Sequence, residues 1–190
     1  IVIINITQKE KKSMENNLSW EEYFIKLLDV LKLKSKDPST KVSALITDDF
    51  NTIISTGYNG FPICVHDTEE RYSNRELKYK LVVHAEMNAI LLAARNGKSL
   101  NDKILWVTKF PCCECAKAII QSGIKRVNII SEAEDKEFEE RWKESIELAT
   151  TMFTESNTSV YKYLKEHNYY PEEIVKELKN IYDPLNIVIG

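Results

Sequence analysis

Two short clusters, His84-Ala85-Glu86 and Pro111-Cys112-Cys113-Glu114-Cys115, supply one imidazole, thiols spaced to grip one metal ion, and a carboxylate left over. Zinc takes nitrogen and sulfur donors, and a site with three protein ligands keeps the fourth tetrahedral position for water, whereas structural sites close it with a fourth residue. Cys112 and Cys115 stand three apart where Pro111 opens a helix. Both sulfurs can then reach one ion, and the free N–H groups and positive dipole end of a helix start favour the thiolates that bind metal. A Cys113 and Cys115 pair would point to different sides of the helix, so Cys113 is left out. His84 and Glu86 are two apart, about 200° of rotation inside a helix. At a helix cap, however, His84 reaches sideways to the ion while Glu86 reaches the water on it. The reading is a catalytic zinc held by His84, Cys112 and Cys115, with Glu86 as proton shuttle. Two alternatives use the same residues: Glu86 as a plain helix cap, and Cys64 as a fourth ligand that closes a structural site.

The chemistry follows from the parts. A zinc-activated hydroxide attacks a carbon bearing an exocyclic amine, while Glu86 takes the water proton and returns protons to the ring nitrogen and the departing ammonia. The expected class is therefore hydrolytic deamination.

Several elements must hold these residues in place. Ser19 followed by Glu22 has the pattern of a capping box, and Trp20, Phe24, Leu27, Leu28 and Leu31 recur at helical spacing, which predicts a helix over about 19–34. Strands over 42–46 and 52–56 form a hairpin about Asp48-Asp49, and 57–77, rich in charge and carrying Gly57, Gly60 and Pro62, reads as a long loop. A helix runs from His84 to Arg95, a strand covers 104–108, a second helix runs from Pro111 to Ser122, a strand covers 127–130, and a long helix occupies 135–155. The order predicts an α/β fold, a mixed sheet with helices on both faces. From Tyr161 the chain reads as an amphipathic helical tail with Pro171 at a helix start and Ile174, Val175, Leu178 and Ile181 on one face. The domain plan is thus a disordered or extension segment over 1–18 with Met14 as the natural start, a zinc-dependent domain over 19–156, and a helical tail over 157–190 packed on the body or on a neighbouring subunit.

Composition narrows the partners. A net charge of −3, from 26 basic and 29 acidic residues, argues against a surface that tracks a nucleic-acid backbone. The longest apolar runs fall below the roughly 18 to 20 residues of a membrane span. Four bunched cysteines, at 64, 112, 113 and 115, make no disulfide framework and suit a reducing cytoplasm.

Around the two clusters, Trp20-Glu21-Glu22-Tyr23-Phe24, Ser35-Lys36-Asp37-Pro38-Ser39-Thr40, Gly57-Tyr58-Asn59-Gly60, His84-Ala85-Glu86-Met87-Asn88-Ala89-Ile90, Phe110-Pro111-Cys112-Cys113-Glu114-Cys115-Ala116-Lys117 and Gln121-Ser122-Gly123-Ile124-Lys125 follow in order. Over roughly 20–155 this resembles the deoxycytidylate (dCMP) deaminase family of zinc-dependent deaminases. The resemblance implies a three-layer α/β/α fold with a five-stranded mixed sheet, Zn2+ as cofactor, dCMP as substrate, dUMP and ammonia as products, and a homo-oligomer, often a hexamer. It also implies substrate contacts from Asn59, to the deoxyribose 3′-hydroxyl, from the Ala85 backbone, to the base carbonyl, and from Phe110 and Pro111. Asn59 also reads as a plain turn residue before Gly60.

Two departures from the family stand out. Where relatives often place a phosphate-touching tyrosine, this chain has Ser131-Glu132-Ala133-Glu134, which leaves Arg71, Arg75, Arg126, Arg141 and Lys143 as candidates for the phosphate contact. Relatives respond to dCTP and dTTP as effectors through the Gly-Tyr-Asn-Gly loop, but Ile63-Cys64-Val65-His66 follows it here in place of smaller residues, and that control is not carried over. A second metal site at Cys64 and His66 competes with a buried thiol beside an exposed imidazole. The competing functions are a deaminase of free nucleosides, of dCTP or of modified cytidylates, a catalytically silent nucleotide binder, and a nucleic-acid editor.

Overall fold

The computed structural model describes residues 2–4, 18–131 and 136–164. Helix α1 (Trp20–Lys32) begins at the predicted capping box: Glu22 N–H donates to Ser19 Oγ at 3.2 Å and Ser19 N–H donates to Glu22 Oε2 at 2.8 Å. Each side chain satisfies a backbone donor that the first turn leaves open. The inward residues Phe24 and Leu28 are fully buried against Leu45, Ile104, Trp106 and Ile130.

Strands β2 (Ser43–Thr47) and β3 (Ile53–Tyr58) form the expected antiparallel hairpin, with Asn51 at φ 65° in its turn. Helices α2 (Glu69–Ser73) and α3 (Arg75–Leu81) then occupy part of the stretch read as loop. Thr68 and Asn74 cap them by accepting the Arg71 and Leu77 N–H groups. Helices this short carry too little apolar periodicity to announce themselves. The chain continues through α4 (Ala85–Arg95), β4 (Ile104–Val107), α5 (Cys113–Gln121) and β5 (Arg126–Ser131). The long helix expected over 135–155 is divided into α6 (Lys136–Arg141) and α7 (Lys143–Glu155), with a break at Trp142.

The last described element, β6 (Ser159–Leu164), corrects the tail reading for those residues. Val160 and Tyr163 are buried on opposite faces of the sheet, the alternation of a strand, and the whole of β6 pairs parallel to β5. The tail helix around Pro171 lies outside the described residues. Within the segment expected to be disordered or an extension, β1 (Val2–Ile4) pairs parallel to β6, while Met14 lies outside the described residues.

The sheet order is β1-β6-β5-β4-β2-β3. Strands β1, β6, β5 and β4 run parallel, and β2 is antiparallel to both β4 and β3. Strands β2–β6 are thus the five-stranded mixed sheet, and β1 adds a sixth at the edge. Helix α1 covers one face and α4, α5 and α7 the other, giving three layers. On the second face Ala44, Ile46, Leu105, Val107, Val127 and Ile129 meet Ala89, Ala93, Ile119, Ala149 and Phe153. Because both faces are covered, β2 and β4 are buried along their whole length.

Gly57 lets β3 lie directly on the first turns of α4. A Cβ there would run into the Ala85 carbonyl oxygen and lie 2.5 Å from the Ala89 nitrogen. Both obstacles are backbone, so no rotamer change relieves them. Gly57→Ala is expected to lower unfolding free energy by about 3 kcal/mol, the upper range for overpacking, as read by urea denaturation.

Candidate active site

The N-termini of α4 and α5 meet beside one cavity, which Lys109 and Phe110, just past β4, also line. His84 is the N-cap of α4 (φ −68°, ψ 155°) and Cys112 the N-cap of α5 (φ −71°, ψ 167°), and neither side chain caps its own helix. The helix therefore starts at Cys113, with Pro111 ahead of the cap and not inside the first turn. Extended cap backbone takes both side chains off the helical path, which is how His84 and Glu86, two apart, come to face the same space.

His84 Nδ1 lies 3.4 Å from Cys112 Sγ and 3.5 Å from Cys115 Sγ, and all three donor atoms lie within 4.8 Å of one another. Bonds of about 2.0–2.1 Å to nitrogen and about 2.3 Å to sulfur at a tetrahedral angle place N and S about 3.5 Å apart, so the donor set has the size of a zinc site. Cys112 is pulled down to about 4, first by its hydrogen bond with Cys115 and also by His84, while burial opposes the charge. The hydrogen bond to Cys112 and burial push Cys115 upward, and the hydrogen bond with Cys112 raises His84 to about 9. A thiolate is thus already favoured where a cation would sit.

Glu86 is 4% exposed, stands outside the donor group and lines the same cavity. Burial pushes its carboxyl up to about 7, with the His84 charge pulling the other way. A shuttle whose two protonation states are close in energy near neutral pH suits proton transfer in both directions.

Two loops brace this corner. Gly60 and Val83 exchange both backbone hydrogen bonds, at 3.1 and 2.8 Å, and Asn88 Nδ2 donates to the Tyr58 carbonyl at 2.8 Å, so the Gly-Tyr-Asn-Gly segment holds the residue before His84. Asn59 accepts the Val42 N–H at 2.8 Å and donates to the Thr40 carbonyl at 2.9 Å. It is a loop tie, and it also lines the cavity.

The cavity has a volume of about 440 Å³ and includes His84, Ala85, Glu86, Phe110 and Cys112 in its wall; Pro111 is buried but does not line it. Of the basic candidates, Arg75 and Arg141 line it. Arg71 donates to the His66 carbonyl, Arg126 lies over the Tyr161 ring, and Lys143 is not part of the wall. Lys78, Lys109, Phe138 and Trp142 do line it and escaped the sequence reading. The signal for Lys78 was its place three after Arg75, one helical turn on and just beyond the 57–77 stretch that reads as loop. Cys64 is exposed, at φ 66°, and neither it nor His66 belongs to a ligating group among the described residues. Cys64 is thus neither the buried thiol nor the fourth ligand considered. Cys113 is not part of the donor group: its thiol lies 4.0 Å from Glu114 Oε1, and its N–H donates to Ser145 Oγ at 2.9 Å.

Two cysteines and a histidine at converging helix starts, with a detached buried acid, define a zinc-dependent hydrolase site on an α/β/α frame. The chain belongs to the cytidine and deoxycytidylate deaminase family, whose zinc-binding region matches residues 18–131. It is 41% identical over 141 residues, 74% of this chain and 91% of the relative, to an uncharacterized deaminase in the luxG 3′ region of Aliivibrio fischeri. It is 40% identical over 140 residues, 71% of this chain and 70% of the relative, to a probable deoxycytidylate deaminase of Caenorhabditis elegans. Among solved structures, the dCMP deaminase of cyanophage S-TIM5 in complex with dCMP and dUMP superposes with a TM-score of 0.58 at 26% identity, covering 75% of this chain and 95% of that one. Zinc is the metal of the site. Among the described residues no helix is long and apolar enough to cross a membrane.

Proposed function

We propose that this chain deaminates dCMP to dUMP and ammonia, supplying dUMP for thymidylate synthesis. The observation that carries the reading is the buried, unligated Glu86 carboxylate beside the His84, Cys112 and Cys115 donor set. The family and the named deoxycytidylate deaminases among its relatives support the substrate. Zinc, when bound, lowers the pKa of a water from 15.7 toward about 7.

The chain's own residues do the rest. Glu86 accepts the water proton and delivers it to the ring nitrogen, which makes the amine-bearing carbon a better electrophile. The water oxygen bonds to that carbon; as the carbon–nitrogen bond breaks, Glu86 takes the proton of the newly attached hydroxyl and passes it to the leaving amine, so the oxygen stays on the ring as a carbonyl and ammonia departs. The Ala85 N–H, in the first turn of α4 and free of an intrahelical partner, suits the base carbonyl. Phe110 suits the base as an apolar wall, and Asn59 retains a second amide hydrogen for a sugar hydroxyl. Pro111 suits a supporting role behind that wall.

A catalytically silent binder would gain nothing from a buried free carboxylate, which costs burial energy. Steady-state assays across dCMP, CMP, deoxycytidine and dCTP test the assignment. The expected result is a kcat/KM for dCMP at least about 100-fold above that for deoxycytidine, and a preference for the unphosphorylated nucleoside sinks it. A cytoplasmic homo-oligomer, hexameric by the family resemblance, is the accompanying proposal, which a monomeric sedimentation coefficient would refute.

A further inference from the structure

At the cavity wall, α3 contributes a charge that proton transfer does not use. Lys78 is 5% exposed, and its ammonium donates to Asp37 Oδ1 at 3.1 Å and to Ser39 Oγ at 3.3 Å. Asp37 is itself 4% exposed, and the same Oδ1 accepts the Ser39 N–H at 2.8 Å and the Thr40 N–H at 3.1 Å. One carboxylate oxygen is therefore shared among two backbone dipoles and the ammonium. An ammonium has three N–H donors. Two are accounted for; Nζ also lies 5.6 Å from the centroid of the Tyr79 ring, and the third N–H has no nitrogen or oxygen acceptor among the described residues.

A buried cation is stable only when its charge and donors are met, and a carboxylate already stabilised by two N–H groups meets them incompletely. Asp37, Ser39 and Lys78 all line the cavity that holds His84 and Glu86. The wall's other charges point the same way: Arg75 precedes Lys78 by one turn, Arg141 approaches from α6, and basic residues in the wall outnumber acidic ones although the chain as a whole is acidic.

We infer that Lys78 binds the 5′-phosphate of the substrate through its free N–H, with Asp37 as the positioning residue that fixes the ammonium at the cavity wall. The inference rests on the reading of this cavity as a nucleotide site. A phosphate oxygen completes the third donor, and the pair of Asp37 and Lys78 becomes a dipole whose positive end meets the dianion. Selectivity for a nucleotide over its nucleoside then comes from α3, and the chemistry from α4 and α5.

The test is calorimetric binding of dUMP and of deoxyuridine to the zinc-loaded protein, comparing wild type with Lys78→Met, Asp37→Asn and the double variant. The double variant removes both charges and leaves neither buried alone, so it keeps the measurement available where a single variant does not fold. Wild type is expected to favour dUMP; equal affinity for the two ligands overturns the nucleotide reading itself. With that preference present, Lys78→Met and the double variant are expected to weaken dUMP by about 50-fold, the scale of one charge-assisted hydrogen bond, and to leave deoxyuridine within about twofold. Asp37→Asn is expected to lose part of the preference, with KM for dCMP rising and kcat held. Retention of the full preference in Lys78→Met or in the double variant overturns the inference, as does an equal loss for both ligands.

Discussion

Glu86→Gln is expected to bind zinc one to one with the chain and to turn over dCMP at least about 1,000-fold more slowly, within the range for loss of a general acid–base group. The substitution keeps size and hydrogen-bonding capacity and removes only the ability to take up and release a proton. Because Glu86 stands outside the donor group, its charge is not needed to hold the metal. It is nearly fully buried, so the neutral amide relieves a desolvation cost that the native carboxylate bears. The thermal midpoint is therefore expected to stay level or rise while activity collapses, the opposite directions that mark a residue kept for function at the expense of stability. Metal analysis, kcat and a melting curve on one preparation decide the matter. Zinc loss would make Glu86 a ligand, and retention of more than about a tenth of kcat with zinc bound would remove it from the proton path.

The site was legible because its chemistry is local. Each residue of the donor group sits at or within one turn of a helix start, and helix starts are announced by short-range signals: the residue types at the cap, a proline ahead of it, and apolar periodicity behind it. The convergence of His84 with Cys112, 28 positions apart, needed only that two such starts face one cavity. The wall opposite the metal was not legible. Lys78 matters through Asp37, 41 positions away, and no spacing rule connects a helix inside a charged segment to a turn before β2. The same limit explains β6. Val160, Tyr161 and Tyr163 have strand-forming side chains, but what makes them a strand is the exposed edge of β5, available only after the sheet is assembled. The division of the last long helix at Trp142 is likewise tertiary: that indole stands edge-on to His84 at 6.4 Å and packs beside Phe138, so its place is set by the cavity, not by periodicity.

Cys115→Ala is expected to abolish activity together with zinc content, in contrast to Glu86→Gln, which loses only activity. Cys115 is 2% exposed and its sulfur is one of three donors within 4.8 Å of one another, so its removal leaves two donors and a small gap that no neighbouring donor fills among the described residues. Loss of zinc affinity should exceed the roughly 100-fold ascribed to groups that merely orient a ligand, and zinc-dependent turnover should fall below detection. Chelation of the wild type is expected to give the same inactive state and, unlike the variant, to reverse when zinc is restored. The fold is expected to survive both treatments. Helices α4 and α5 are anchored independently of the metal, by Gly57 against α4, by the Gly60 and Val83 bridge, and by Ala116 and Ile119 in the core. Circular dichroism should therefore remain native-like while activity is absent. A chelated protein that unfolds would mean that the ion holds the two helix starts together, and a chelated protein that still deaminates dCMP would remove zinc from the reaction.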